Sequence, residues 1–325
     1  MAILIRGKLY SNWKDAEPES TVFRSEQRTF QFNIDQDAHT KPQNDVNRYH
    51  LIAGYGDPWS HRVLVTRALK QLQATVPITI INPTPTKQGW KLNDSDKADK
   101  KEMSNYSYLY ELYRQSDFAY TGRLTVPLIW DDEKKRIVNN ESQEIMKILN
   151  NDLVWGKEGS LNLYPDSKKE EQEYLYDFIF DNINNGVYKT GFAPNQRIYE
   201  KSINALFAAF DDLEELLSQS RFLLGENITG VDISLFTTLI RFDVIYYPYM
   251  RCNLKRLQEY TNLWAYTKDI YHLPGVKDTV CFESMMKTYY GLEYLNPTKV
   301  IPKVPKLELG TGVETLKYEL YSAPF

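Results

Sequence analysis

An α/β domain followed by an all-helical one is the fold class that this 325-residue sequence predicts. Three observations carry it. Between about Arg48 and Asn150 short apolar runs of strand length alternate with apolar residues spaced three or four apart, the mark of helices. Residues 151–167, with Gly156, Gly159 and Pro165, read as a linker. Beyond the linker only helical spacing recurs.

Residues 1–45 carry Gln, Asn, Asp and scattered aromatics without sustained periodicity, and read as an N-terminal extension rather than a domain. The domain proper, residues 46–150, opens with the apolar run Tyr49-His50-Leu51-Ile52-Ala53, a strand. A turn with Gly54 and Gly56 follows, then Asp57-Pro58-Trp59-Ser60-His61-Arg62, and a helix with Val63, Leu64, Leu69 and Leu72 on its apolar face. A Pro just inside a helix start leaves unpaired backbone N–H groups at one point, which is where a ligand is expected. The strand Val76–Ile81 completes a β-α-β unit. Met103, Tyr106, Leu109, Tyr110 and Tyr113 predict a helix over 101–116, Leu124–Trp130 and Arg136–Val138 a β-hairpin about the acidic turn Asp131-Asp132-Glu133, and Glu141-Ser142 a last helix to about Asn150. The order β-α-β-α-β-β-α is that of a thioredoxin-type domain.

In the all-helical stretch, residues 168–325, Ile203, Leu206, Phe207, Phe210, Leu213, Leu216 and Leu217 form one stripe. Thr229-Gly230-Val231-Asp232 is a capping box, with Ile228 and Ile233 placed as a hydrophobic staple around it.

Composition narrows the partners. A net charge of -4 with both signs spread along the chain argues against nucleic acid or an anionic membrane, and 42% hydrophobic residues supply packed cores. Two cysteines, Cys252 and Cys281, form no disulfide framework and lie near no second metal-ligand cluster, so no metal is expected and both read as buried structural residues. The apolar run at the N-terminus is too short for a signal peptide or membrane span, which points to a cytoplasmic location.

Several separate blocks resemble the Xi class of glutathione transferases, the glutathionyl-hydroquinone reductases. They are Asp57–Arg62, Gly122–Asp131, Ile137–Ser142, Ile183-Asn184-Asn185-Gly186-Val187-Tyr188-Lys189, Arg241-Phe242-Asp243, Asn262-Leu263-Trp264 and Tyr289-Tyr290. The resemblance implies a thioredoxin-like glutathione-binding domain, an all-α C-terminal domain and a homodimer. It implies that the backbone of Val126, turned outward by a cis bond to Pro127, pairs with the cysteinyl part of glutathione. Ser142 and its backbone would take the γ-glutamyl carboxylate at the helix N-terminus, and Glu141 its ammonium. Trp90 would pack on the tripeptide and Arg123 pair with it. Tyr188, with one of Tyr289 and Tyr290, would line an acceptor pocket for an aromatic or quinone ligand, where a phenol can stabilise a departing phenolate. His61 and Arg62 read as structural.

One position departs from the family. The Xi class carries a cysteine before Pro-Trp, and here Asp57 stands in its place. A thiolate at a helix N-terminus attacks the sulfur of a glutathionyl-hydroquinone; a carboxylate cannot, but it is among the best N-cap side chains. The expectation is therefore a protein that keeps its thiol site and has lost or lowered its reductase chemistry. The alternative is a non-catalytic binder of aromatic or thiol ligands.

Overall fold

The computed structural model describes residues 2–11, 30–32, 34, 48–92, 105–153, 161–292, 296–303 and 307–310. Its strands are β1 Ile3–Ile5, β2 Lys8–Tyr10, β3 Tyr49–Ala53, β4 Ile78–Ile80, β5 Gly122–Arg123, β6 Leu128–Asp131 and β7 Arg136–Asn139. Its α-helices are α1 Pro58–Leu69, α2 Leu109–Ser116, α3 Ser142–Asn151, α4 Lys169–Ile179, α5 Gly186–Gly191, α6 Gln196–Leu216, α7 Gly230–Arg241, the short α8 Tyr247–Tyr249, α9 Thr261–Tyr271 and α10 Phe282–Tyr290. The chain divides into two compact units, Met1–Gln172 with Thr279–Val304, and Glu173–Asp278 with Pro305–Phe325.

In the first unit four strands lie in the order β4-β3-β6-β7, with β3 and β4 parallel and the other neighbours antiparallel. This is the expected thioredoxin-type sheet, and the unbroken apolar run of β3 explains its central place in it. Tyr49, Leu51, Ile52 and Ala53 of β3 are fully or almost fully buried, as a central strand packed on both faces requires. The hairpin turn is fixed by Asp131, whose carboxylate takes Arg48 Nε and Nη2 at 3.0 and 2.8 Å and the amides of Glu133 and Lys134 at 3.0 and 3.1 Å.

The N-terminal segment, read as an ordered arm or extension, carries two short strands not named from the sequence: β1 and β2 join β5 in a three-stranded sheet ordered β2-β1-β5, and Ala2, Leu4 and Phe30 enter the core of the first unit. Helix α2 is also shorter than its apolar spacing predicts. Tyr108 and Lys91 form an isolated bridge, the Leu92 amide bonds the Ser107 carbonyl at 2.9 Å, and the Glu111 carboxylate accepts the Tyr108 amide at 2.9 Å. These contacts hold residues up to 108 extended, so the helix begins at Leu109; the expected turns at 101–104 lie outside the described residues. Part of the stretch taken as a linker is tied down as well, for Leu163 is buried with its amide on Asn150 Oδ1 at 2.9 Å.

In the second unit the apolar stripe becomes the buried face of α6, with Leu206 and Phe210 inaccessible. Helix α7 starts as its sequence specifies. Asp232 accepts the Thr229 amide and hydroxyl, both at 2.7 Å, and Ile228 and Ile233 are buried on either side. The same carboxylate takes the Leu223 amide and the Tyr266 hydroxyl, both at 2.9 Å. Two π-helical turns, Phe180–Asn184 and Phe242–Tyr246, interrupt the helices; the Asn184 side chain ties the first of them to α7 through the Ser234 carbonyl at 3.0 Å and Thr238 Oγ1 at 2.7 Å.

The expected helical domain of residues 168–325 gives up Thr279–Val304 to the first unit. Helix α10 packs on the glycine turn: a Cβ at Gly56 would collide with Thr288 Oγ1 and Cβ and lie 2.8 Å from the Ser284 carbonyl. Only glycine permits that approach. His61 Nε2, fully buried, meets Thr279 Oγ1 at 2.9 Å, and Thr288 Oγ1 donates to the Pro83 carbonyl at 3.1 Å.

Candidate functional site

Three backbone segments of the first unit carry Asp57, Arg123, Val126, Pro127, Glu141 and Ser142. The first is the turn into α1. Asp57 is extended at φ -82° and ψ 127°, and its Oδ2 accepts the Ser60 amide at 2.6 Å, an N-cap bond, with Pro58 in the first helical turn. The carboxylate is thus engaged in closing the helix start. Arg62, buried, lies over the Trp59 ring at 4.3 Å, and His61 holds Thr279; both act within the scaffold.

The second segment runs from Arg123 to Pro127. The Val126–Pro127 bond is cis, and both residues are buried. Among the described residues no backbone group pairs with the Val126 amide or carbonyl. A Cβ at Gly54 would lie 3.8 Å from Val126 Cγ2, so the cis loop is a near neighbour of the glycine turn. Arg123, exposed on β5, has no side-chain partner among the described residues.

The third segment is the start of α3. Glu141 occupies the N-cap position, yet its side chain makes no capping bond; the Glu141 amide is instead taken by Asn139 Oδ1 at 2.8 Å. Glu141 is exposed, while loss of hydration around its carboxyl group, and then the charge of Glu144, raise its pKa. Glu144 is itself paired with Lys147 at 2.9 Å. Among the described residues the Glu141 carboxylate neither caps the helix nor joins an ion pair, and the first amides of α3 lie where the helix dipole favours negative charge.

Trp90 is half-buried against the core of the first unit and its carbonyl accepts the Leu109 amide at 2.9 Å, so it is no detached surface side chain. Tyr289 and Tyr290, both buried, end α10 in the first unit, whereas Tyr188 belongs to α5 in the second. In that unit Tyr188 meets Tyr246, hydroxyl to hydroxyl at 3.3 Å with rings edge to face at 77°. Tyr246 was missed in the sequence; it stands among apolar residues at the end of a π-turn, and nothing in its neighbours' types announces a hydroxyl pair.

The cysteines separate. Cys252 is buried as expected, and burial pushes its thiol up to about 12. Cys281 is not buried: it is half-exposed at the N-terminus of α10, with Sγ 3.2 Å from Ser284 Oγ. Among the described residues no group of three or more His, Cys, Asp or Glu could hold a metal ion, and no helix is long and apolar enough to cross a membrane.

Residues 58–152 match the family described as glutathione S-transferase, N-terminal domain, and 196–269 its C-terminal domain. Over 319 residues the chain is 34% identical to glutathionyl-hydroquinone reductase YqjG of Escherichia coli, across 95% of this chain and 97% of that one. It is 35% identical to glutathionyl-hydroquinone reductase PcpF of Sphingobium chlorophenolicum, across 94% and 96%. Among solved structures a Xi class transferase from Natrialba magadii superposes with a TM-score of 0.87 at 33% identity, covering 96% of both chains. The glutathione-bound structure of YqjG superposes with a TM-score of 0.80 at 33% identity, covering 94% of this chain and 96% of the other.

Proposed function

Because the chain belongs to the glutathione transferase superfamily, in its Xi class of glutathionyl-hydroquinone reductases, we infer that it binds glutathione in its first unit while its thiol-dependent reductase activity is lost or severely reduced. The observation that carries the second half is the bond from the Ser60 amide to Asp57 Oδ2 at 2.6 Å. The side chain that resemblance puts in the nucleophile's place is an oxygen acid serving as a helix cap.

Reductase chemistry of this kind has two steps. A thiolate attacks the glutathionyl sulfur, the C–S bond breaks, the hydroquinone carbon takes the electron pair and then a proton, and a protein–glutathione disulfide forms. A second glutathione thiolate then attacks that disulfide, releasing oxidised glutathione and the protein thiolate. Asp57 has no sulfur with which to form the intermediate. Nor does a carboxylate there favour direct use of glutathione as nucleophile, since a neighbouring negative charge raises rather than lowers the pKa of a bound thiol.

Binding is supported by groups independent of Asp57. Glu141 supplies a carboxylate without an ion-pair partner among the described residues for the γ-glutamyl ammonium, and the amides and hydroxyl at Ser142 suit its carboxylate. The Val126 backbone edge at the cis bond suits the cysteinyl amide, and Trp90 and Arg123 add a half-buried ring and a guanidinium without a partner among the described residues. By the resemblance, an aromatic or quinone acceptor is assigned to Tyr188 and to one of Tyr289 and Tyr290. A homodimer belongs to the same proposal and is measured by sedimentation.

The test compares wild type with Asp57→Cys. Calorimetry is expected to show saturable glutathione binding in both, and reduction of a glutathionyl-hydroquinone is expected to rise by about a hundredfold or more in the variant. Wild-type turnover equal to that of Asp57→Cys would overturn the loss of chemistry; no binding in either would overturn the site. Binding without turnover across a wide acceptor panel would leave a binder, whereas turnover lost in Tyr188→Phe would make the tyrosine catalytic.

A further inference from the structure

Helix α2 carries a side chain that no part of the proposed site uses. Tyr113 is fully buried, and its hydroxyl donates to the Thr125 carbonyl at 2.8 Å. The same oxygen lies 3.2 Å from Thr125 Oγ1 and faces the Thr125 amide at 3.3 Å and Asn140 Nδ2 at 3.4 Å. Thr125 immediately precedes the cis Val126–Pro127 bond, and Asn140 immediately precedes Glu141. One phenol oxygen therefore touches both loops from which the tripeptide contacts project.

The surroundings fix that oxygen in place. The ring packs against Tyr120 at 4.8 Å and against the edge of Phe30 at 5.8 Å, while the Phe30 amide donates to Asn140 Oδ1 at 2.9 Å. Asn140 thus has its carbonyl held from the N-terminal segment and its amide held by the phenol. Burial raises the Tyr113 pKa, so the hydroxyl keeps its proton at any physiological pH, and the charge of Glu141 acts in the same sense.

We propose that Tyr113 is a positioning residue for glutathione: its hydroxyl, bonded at once to Thr125 and to Asn140, sets the separation of the Val126 backbone edge from the Glu141–Ser142 pair. This rests on the proposed thiol site. The ligand's γ-glutamyl and cysteinyl parts are joined by a peptide bond, so two contact loops serve one molecule only at one spacing. A ring without its hydroxyl leaves the core filled and lets the loops relax apart.

The test uses Tyr113→Phe in the full chain, with Ser116→Ala as a control. Ser116 Oγ lies one helical turn away, accepts the Ile137 amide at 2.7 Å and donates to the Leu112 carbonyl at 2.8 Å, so its loss also removes partly buried hydrogen bonds. Tyr113→Phe is expected to weaken calorimetric glutathione binding by about tenfold and to speed amide exchange at Thr125 and Glu141, with the control doing neither at comparable loss of stability. Double substitution with Glu141→Gln is expected to cost less than the sum of the two single changes. Unchanged affinity in Tyr113→Phe, or equal weakening in the control, overturns the proposal. Should Tyr113→Phe not fold, Asn140→Ala reads the Glu141 half of the junction by the same two measurements. If the wild type binds no glutathione, the proposed function falls, and the exchange comparison alone still decides whether Tyr113 fixes the two loops.

Discussion

Asp57 and Glu141 both sit at the N-cap of a helix, and they use the position in opposite ways. Asp57 accepts the amide of the third residue of α1, so Asp57→Ala is expected to lower stability by about 1 kcal/mol in denaturant unfolding, with the slope unchanged. Glu141 makes no cap bond, so its replacement is expected to act on the ligand instead. Its raised pKa gives two pH effects of opposite sign. In the free protein, ionisation is harder folded than unfolded, so the Glu141 contribution to stability falls as pH climbs from the ordinary carboxylate value to the raised folded one. Pairing with an ammonium needs the ionised form, so glutathione affinity falls as pH drops through the raised value. Calorimetry between about pH 4 and 7 should show that loss in the wild type and not in Glu141→Gln, which is expected to bind about tenfold more weakly at neutral pH. Cys252, pushed up to about 12 and buried, should resist a thiol reagent until the protein unfolds, while half-exposed Cys281 reacts in the native state. Residue types at helix starts were legible because capping is local chemistry. Whether a carboxylate caps or waits is a matter of rotamer and hydration, which no sequence spacing encodes.

Among elements, α7 shows how far local sequence can go. The capping box named from Thr229 and Asp232 is present with its staple, but Asp232 also serves the Leu223 amide and the Tyr266 hydroxyl. Burial raises the pKa of both Asp232 and Tyr266, and their shared hydrogen bond joins α9 to the start of α7. Asp232→Ala leaves several buried donors unsatisfied and is expected to cost on the order of 3 kcal/mol or more, measured as a shift of the urea midpoint. The long-range partners were not legible, since Leu223 and Tyr266 are apolar or aromatic positions like many others in a chain with 24 tyrosines. Strands β1, β2 and β5 were missed for a related reason. They are three, three and two residues long, too short to show a period, and β1 pairs with β5 across more than a hundred intervening residues. The opposite error at α2 came from a period that was real but overruled, because Lys91 and Glu111 hold the preceding residues in extended form.

For the whole molecule, helical spacing told which residues form helices but not which unit each helix joins. Helix α10 follows nine others in sequence order and returns to the first unit, where Thr288 and Ser284 press on Gly56 and Thr279 meets His61. Gly56→Ala is expected to destabilise the protein by about 2 kcal/mol, because part of the clash is with backbone and the helix must shift; thermal unfolding measures it. The glycine was noticed in the sequence as a turn residue, while its role as a seat for a helix more than two hundred residues later was invisible there.

The capped turn also gives sequence change a direction. Exchanging Asp57 for cysteine trades a preferred N-capping side chain for one outside the preferred set, so a step toward thiol chemistry sacrifices about 1 kcal/mol and a step away regains it. Selection for folding alone therefore holds the aspartate, and only selection for turnover would remove it. Val126, Glu141 and Ser142 lie outside that cap bond. In the proposed site their fit to a tripeptide can drift or sharpen independently, which separates the heredity of recognition from the heredity of reaction.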